Sequence, residues 1–247
     1  MTNAFDRETG LAPDRKLCRD VLVLIPAYNA GEAVGGVVRE TRLLGEPWPV
    51  LVVNDGSTDA TEAMAREAGA EVVSHAGNLG KGAALRTGFE YLLKTDLAAV
   101  VTLDADGQHA PSEIPILIER WVATGADIVI GTRRRDPAAM PRLRILTNWI
   151  SSVLVSLSAG TRIDDSQSGF RLLSRRVVEG VHTGSRGYGA ESEILIKAAR
   201  RGFKIEAAPV STIYGDETSY VHPFKQPLKF TWLILKSIVW RFDRSDT

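Results

Sequence analysis

Ala98-Ala-Val-Val-Thr-Leu103 followed by Asp104-Ala-Asp-Gly-Gln-His109 is the stretch on which the reading of this chain turns. The first half is a strongly apolar run with no polar alternation, the pattern of a strand buried on both faces. The run ends abruptly in two carboxylates one residue apart, and Gly107 then lets the chain turn. Residues two apart at a strand end project to the same side. Asp104 and Asp106 are therefore expected together at the mouth of a sheet, where they repel each other and require a positive partner. A hard divalent cation, Mg2+ or Mn2+, suits such oxygens, and Gln108 offers a third at the same spacing. The plainer alternative is an acidic surface turn, since Asp and Gly are common turn residues.

Working outward, the same alternation recurs along the first half. Val21–Ile25 reads as a first buried strand, with pairing expected to stop near Pro26, which has no N–H to donate. A helix over 32–44, a strand over 50–53, and a helix running to Glu67 capped by Ser57 or Thr58 follow. Next come a strand over 71–73, an Ala-rich helix through Leu93, the strand ending at Asp104, a helix over 112–123, and a strand over 127–130. Strand and helix alternate five times before Arg135, which implies an α/β fold with a mostly parallel sheet and helices on both faces. Ligands of such sheets bind outside the carboxyl ends of the strands. The polar clusters 26–29, 54–59, 104–109 and 131–135 all fall at those ends.

Composition narrows the function. The 247 residues are 44% hydrophobic and 24% charged, ordinary for a globular protein. The formal net charge is zero, so no global field favours nucleic acid. Cys18 is the one cysteine, which excludes an internal disulfide framework and fits a reducing compartment. No apolar leader is visible in residues 1–20, and no run approaches the ~20 apolar residues of a spanning helix. A cytoplasmic protein is expected, attached peripherally to the cytoplasmic face of a membrane.

The second half reads differently. Leu146, Ile150, Val153 and Leu157 lie on one helical face. A polar loop spans 164–171, a helix spans 191–201, and a last strand spans 204–210. The stretch 228–242 is a very apolar helix with a narrow lysine stripe and two tryptophans, suited to a lipid interface or to burial. The expected division is a polar tail over 1–19, one α/β unit over 20–212, and a C-terminal loop with an amphipathic helix over 213–247.

With these residues placed, the chain resembles the family 2 glycosyltransferases of the GT-A fold, and within them the dolichyl- or polyprenyl-phosphate mannosyltransferases. The matching pieces occur in the family's order: Ile25-Pro-Ala-Tyr-Asn29, Val53-Asn-Asp-Gly-Ser-Thr-Asp59, Asn78-Leu-Gly-Lys-Gly82, Asp104-Ala-Asp-Gly-Gln-His109, Gly131-Thr-Arg133, Asp165-Ser-Gln-Ser-Gly-Phe-Arg171 and Glu191-Ser-Glu-Ile-Leu195. The resemblance implies that Pro26, Ala27, Tyr28 and Asn29 line the nucleotide pocket and that Asp55 accepts hydrogen bonds from the base. Gly80, Lys81 and Ala105 would belong to the same donor site. Asp104 and Asp106 would sit at the sugar diphosphate, with Asp104, Asp106 and Gln108 holding Mg2+ or Mn2+. Arg133 would contact a phosphate, and Asp165 joins the catalytic set.

A nucleoside diphosphate leaves with growing negative charge, which a divalent ion and an arginine can screen. A sugar hydroxyl acceptor needs a carboxylate base, whereas a lipid monophosphate is already anionic and needs cations. Arg142, Arg144 and Arg171 are candidates, joined by His222 and Lys225 in a loop that otherwise departs from the family by starting acidic. The expected reaction is inverting transfer of mannose or glucose from a GDP- or UDP-sugar to a polyprenyl or dolichyl monophosphate. The alternatives are a saccharide or other lipid acceptor, nucleotidyl transfer on a similar fold, and non-catalytic nucleotide-sugar binding. Pro26-Ala-Tyr-Asn29 argues against nucleotidyl transfer, which commonly uses a glycine-rich basic loop there.

Overall fold

The computed structural model describes residues 18–133, 142–185, 187, 189–211 and 213, with backbone alone over 142–146. The expectations for the N-terminal tail, for Arg134 and Arg135, for the side chains of Arg142 and Arg144, and for His222, Lys225 and the 228–242 helix lie outside those residues.

Seven strands form one sheet: β1 (Val21–Ala27), β2 (Val50–Asn54), β3 (Glu71–Ser74), β4 (Ala99–Thr102), β5 (Ile128–Arg133), β6 (Arg171–Ser174) and β7 (Ile205–Val210), in the order β3-β2-β1-β4-β6-β5-β7. All neighbouring pairs are parallel except those made by β6, which runs against both β4 and β5. The helices are α1 (Gly31–Leu43), α2 (Thr61–Glu67), α3 (Lys81–Leu93), α4 (Ile114–Thr124), α5 (Arg142–Ala159), α6 (Arg175–Gly180) and α7 (Gly189–Arg200).

The unbroken apolar runs are explained by two cores. Val21, Val23 and Ile25 of β1 face the cluster containing Val34 and Val38 of α1 and Leu117 of α4. Leu22 and Leu24 face the opposite cluster, with Leu85 and Leu92 of α3 and Ile194 of α7. A strand that buries both faces cannot alternate. Each such side chain contributes about 1.5–3 kcal/mol by leaving water. On the α3 side the approach is very close, since a Cβ on Gly88 would lie 2.3 Å from the Leu24 methyls.

Several expectations are corrected. Pairing does not stop at Pro26 but continues to Ala27↔Asn54. Val23 N donates to Pro49 O and Asp55 N donates to Ala27 O, so these alternate residues bond toward β2. Pro26 therefore faces the β4 side, where the ladder has already ended at Leu24↔Thr102. Its missing N–H therefore costs no bond of the β1–β2 ladder. Strand β4 itself ends at Thr102, with Leu103 N still donating to Leu24 O, so Asp104 and Asp106 sit in a turn and not on a strand. Strand β5 runs on through Arg133, which pairs with Val210. Ser57 and Thr58 do not cap α2. Asp59 Oδ1 accepts from Thr61 N (3.0 Å), and Ser57 Oγ accepts from Asn29 N (2.9 Å).

The sequence reading also missed β6, and α5 is turned over relative to its apolar pattern. The helix packs inward through Ser152, Val155 and Ala159, while Trp149 (50% exposed), Ile150 (43%), Val153 (36%) and Leu157 (75%) face outward.

Candidate active site

Strand β6 positions the site. Because it runs backwards, the loop before it arrives at the edge where the parallel strands deliver their carboxyl ends. Thr102 Oγ1 donates to Gly169 O (2.7 Å), and the Asp104 carboxylate lies over the bare Cα of Gly169. A Cβ there would meet Asp104 Oδ2 at 2.3 Å.

Arg171 fixes this loop from inside. Its Nε donates to Ser168 O (2.7 Å), Nη2 to Ser166 O (2.8 Å) and Nη1 to Glu191 O (2.8 Å). The residue is 3% exposed. The expectation that Arg171 binds an acceptor phosphate is therefore corrected: its guanidinium is buried and committed to backbone carbonyls.

The positive partner demanded by Asp104 is supplied by the protein itself. Lys81, first residue of α3, places Nζ 2.5 Å from Asp104 Oδ1 and 3.0 Å from Glu191 Oε1 in the first turn of α7. Burial alone would discharge both members of the pair. The Lys81 ammonium nevertheless holds the Asp104 carboxyl below the usual carboxylate range, and Asp104 and then Glu191 hold Lys81 above the usual lysine range. Glu191 belongs to a motif visible in the sequence, but its partner lies 110 residues earlier and only the fold reveals it.

Asp104 and Asp106 do not share one environment. Asp104 is half-buried, Ala105 is buried, and Asp106 is exposed. Asp106 Oδ1 accepts from Gln108 N (3.0 Å), and Gln108 O accepts from Ile213 N (2.9 Å), so the chain leaving β7 pins this turn. Among the described residues no three His, Cys, Asp or Glu side chains gather as a metal cluster. The donor chemistry nonetheless fits a hard cation. Asp106, the Gln108 amide and Asp104 are all oxygen donors on one turn, with Asp104 already partly neutralised.

Arg133 and Asp165, expected in separate roles, are brought together. Arg133 Nε donates to Asp165 Oδ2 (2.8 Å) and Nη2 to Oδ1 (3.0 Å), a bidentate pair. Burial would raise the Asp165 carboxyl, but these bonds hold it below the usual range. His109 is buried beside Phe170, with ring centroids 5.4 Å apart. Its Nδ1 has no hydrogen-bond partner among the described residues. Burial, the largest influence, pushes this imidazole below the usual histidine range against the opposing pull of Asp104.

The exits of β1 and β2 are equally laced. Asn29 stands at φ 48° and its Oδ1 accepts from Thr58 N (2.9 Å), tying the β1 exit to the β2 exit. Pro26 and Ala27 are buried in β1 and Tyr28 is exposed at its end. Asp55 is buried, and its carboxylate accepts from Leu79 N (2.9 Å), Gly80 N (2.7 Å) and His75 Nδ1 (2.7 Å), while His75 Nε2 meets Thr87 Oγ1 (2.9 Å). In this structure Asp55 braces the 78–80 loop. Glu193, another residue without an assigned role in the sequence reading, holds a second loop: it accepts from Thr183 Oγ1 (2.9 Å), Gly184 N (3.1 Å) and Ser185 N (3.0 Å), with Lys197 Nζ at 2.9 Å.

With the edge described, its likeness to known proteins is informative. The family model for glycosyl transferase family 2 matches residues 22–181. The chain belongs to this family. The glycosyltransferase is 30% identical over 221 residues to the polyprenol monophosphomannose synthase of Mycolicibacterium smegmatis, covering 83% of each chain. It is 31% identical over 220 residues to the UDP-N-acetylglucosamine–dolichyl-phosphate N-acetylglucosaminyltransferase of Methanococcus voltae, covering 79% of this chain and 86% of that one. Among solved structures it superimposes on glucosyl-3-phosphoglycerate synthase from Mycobacterium tuberculosis, crystallised with Mn2+, UDP and phosphoglyceric acid. The TM-score is 0.71 at 22% identity, over 93% of this chain and 80% of that one. That likeness establishes the GT-A fold. Among the described residues, no helix of this glycosyltransferase is long and apolar enough to cross a membrane.

Proposed function

We propose that this glycosyltransferase moves a hexose, mannose or glucose, from a GDP- or UDP-sugar to a polyprenyl or dolichyl monophosphate, using Mg2+ or Mn2+. The observation that carries this reading is the state of the carboxylates at the strand edge. Asp55, Asp104, Asp165 and Glu191 each already accept from a cation or from backbone N–H groups. The Asp104 and Asp165 carboxyls are held below the usual range, which makes them poor proton acceptors. A sugar hydroxyl needs a base to lose its proton; a phosphate monoester is anionic near pH 7 and needs none. The relatives named above for lipid phosphates point to the same acceptor class.

The roles follow from the contacts. Asp106, Gln108 and Asp104 would hold the divalent ion, which when bound screens the charge developing on the leaving nucleoside diphosphate. Asp165 locks the Arg133 guanidinium in a fixed plane, so that Arg133 can meet a phosphate without first losing side-chain freedom. Asp55 orders the 78–80 loop and Asn29 the loop after β1, shaping the nucleotide end around Tyr28. Arg142 and Arg144, at the start of α5, stay candidates for the acceptor phosphate, together with His222 and Lys225. The outward apolar stripe of α5 suits contact with the lipid on the cytoplasmic face of a membrane.

The test is incorporation of labelled sugar into a lipid product labile to mild acid, from a panel of GDP- and UDP-sugars with polyprenyl and dolichyl monophosphates. A labelled lipid with one donor is expected. Label appearing only in water-soluble saccharide, or in no lipid with any donor, overturns the acceptor assignment.

A further inference from the structure

Among the described residues, the charged side chains gathered around Asp104 and Arg133 balance one another. Asp104, Glu191 and Asp165 supply three negative charges; Lys81, Arg171 and Arg133 supply three positive ones. The closest opposite charges are Lys81 and Asp104, and Glu191 holds Lys81 from its other side at 3.0 Å. Affinity for a hard cation follows the charge count and rigidity of its ligands. A divalent ion approaching the protein alone therefore meets the exposed Asp106, whose Oδ1 already accepts from Gln108 N, one neutral amide, Gln108, and a carboxylate whose Oδ1 already has an ammonium against it. A nucleoside diphosphate changes that balance, because it brings several negative charges to the same place.

We propose that Lys81 is a stand-in for the divalent cation at Asp104, so that metal binds well only together with the nucleotide. The idea rests on the donor-site reading above and deepens it. Lys81 then has two partners to offer at each stage. In the free protein its charge satisfies Asp104 and Glu191. When metal takes up Asp104, the ammonium remains between Glu191 and the incoming phosphates. Binding of the two ligands is positively coupled, and the coupling is reciprocal.

The experiment titrates Mn2+ into the full-length protein without nucleotide, following free Mn2+ by its electron paramagnetic resonance signal, and repeats it with UDP or GDP present. Wild type is expected to bind Mn2+ alone weakly and much more tightly with nucleotide. Lys81→Met should bind Mn2+ alone at least about tenfold more tightly, since a like charge beside the ion is gone, and the coupling to nucleotide should shrink by a similar factor. Lys81→Met leaves two carboxylates without their cation. The double variant Lys81→Met/Glu191→Gln keeps the net charge and should show the same tightening even where the single variant folds poorly. Glu191→Gln alone keeps the lysine and should bind Mn2+ alone no more tightly than wild type. Unchanged or weaker Mn2+ affinity in both lysine variants overturns the proposal while leaving the donor site intact. A wild type that binds neither Mn2+ nor nucleotide under any combination sinks both.

Discussion

The Asp104 carboxylate rests on Gly169, with room for a hydrogen and for nothing larger: a Cβ would stand 2.3 Å from Oδ2 and 2.7 Å from Cγ. The two residues come from opposite sides of the β4–β6 pair. Gly169→Ala is expected to push Asp104 away from Lys81 and cut sugar transfer roughly tenfold or more, in line with the cost of a 1 Å misplacement. Nucleotide affinity measured without metal should change much less. Equal loss of both would show that the methyl disturbs the whole edge.

Removing the exposed carboxylate should separate metal binding from folding. Asp106→Asn is expected to abolish the extra thermal stabilisation that Mn2+ gives in the presence of nucleotide, about 2.7 kcal/mol at a hundredfold excess over Kd. Without ligands its stability should stay within about 0.5 kcal/mol of wild type. Addition of EDTA to wild type should reproduce the ligand result. Thermal melts with and without each component check all three.

The Arg133–Asp165 pair gives a test of structure against chemistry. Asp165→Asn leaves a buried guanidinium without its counter-charge and should cost roughly 3 kcal/mol in chemical denaturation. Arg133→Leu/Asp165→Leu removes both charges and should regain most of that stability. If Arg133 serves the donor phosphate, the double variant stays inactive. Recovery of activity along with stability would reduce the pair to a strut.

Glu193 makes a prediction about acid. Its carboxyl is held at about 2, against an ordinary 4.5, by bonds from Ser185, Lys197, Gly184 and Thr183 that outweigh burial. A lowered folded value means the stabilisation is complete above pH 4.5 and fades as pH falls toward 2. The amount lost is on the order of 3 kcal/mol. Glu193→Gln should therefore be less stable than wild type at neutral pH, and the gap should narrow as the solution is acidified through that window. Urea denaturation at a series of pH values measures it.

The outward stripe of α5 can be tested on vesicles. Ile150→Glu and Leu157→Glu replace exposed apolar side chains, so the fold should lose less than about 0.5 kcal/mol each. Cosedimentation with vesicles containing anionic lipid and polyprenyl phosphate should fall severalfold, while binding of nucleotide in solution stays as in wild type.

The parallel frame was legible because its strands bury both faces, and an apolar run bounded by polar turns has few other readings. The gathering of polar loops at the carboxyl edge was legible for the same reason. Other features were not. Arg171-Leu-Leu-Ser174 is too short and begins with too strong a charge to read as a strand; it becomes one only because β4 and β5 flank it and three backbone carbonyls receive its arginine. Arg171 looked like a phosphate ligand for that reason: sequence displays a charge and conceals its burial. The α5 stripe misled in the opposite way. An apolar helical face normally faces the core, yet here Ser152, whose Oγ accepts from Ser166 N (3.1 Å), forms the inner side. Lys81 and Glu191 could not be paired at all without the fold, since nothing in local spacing links the starts of two distant helices.

Strands β5 and β6 are antiparallel neighbours, with Ile130 opposite Arg171. The described chain between these two strands, α5 included, is buttoned at its base by Arg133 and Asp165. A chain segment closed in this way can be lengthened, shortened or re-sequenced while its two ends stay fixed. The frame of β1, β2 and β4 would not register the change. The architecture thereby separates a frame of parallel strands from a stretch of chain whose sequence the frame does not constrain.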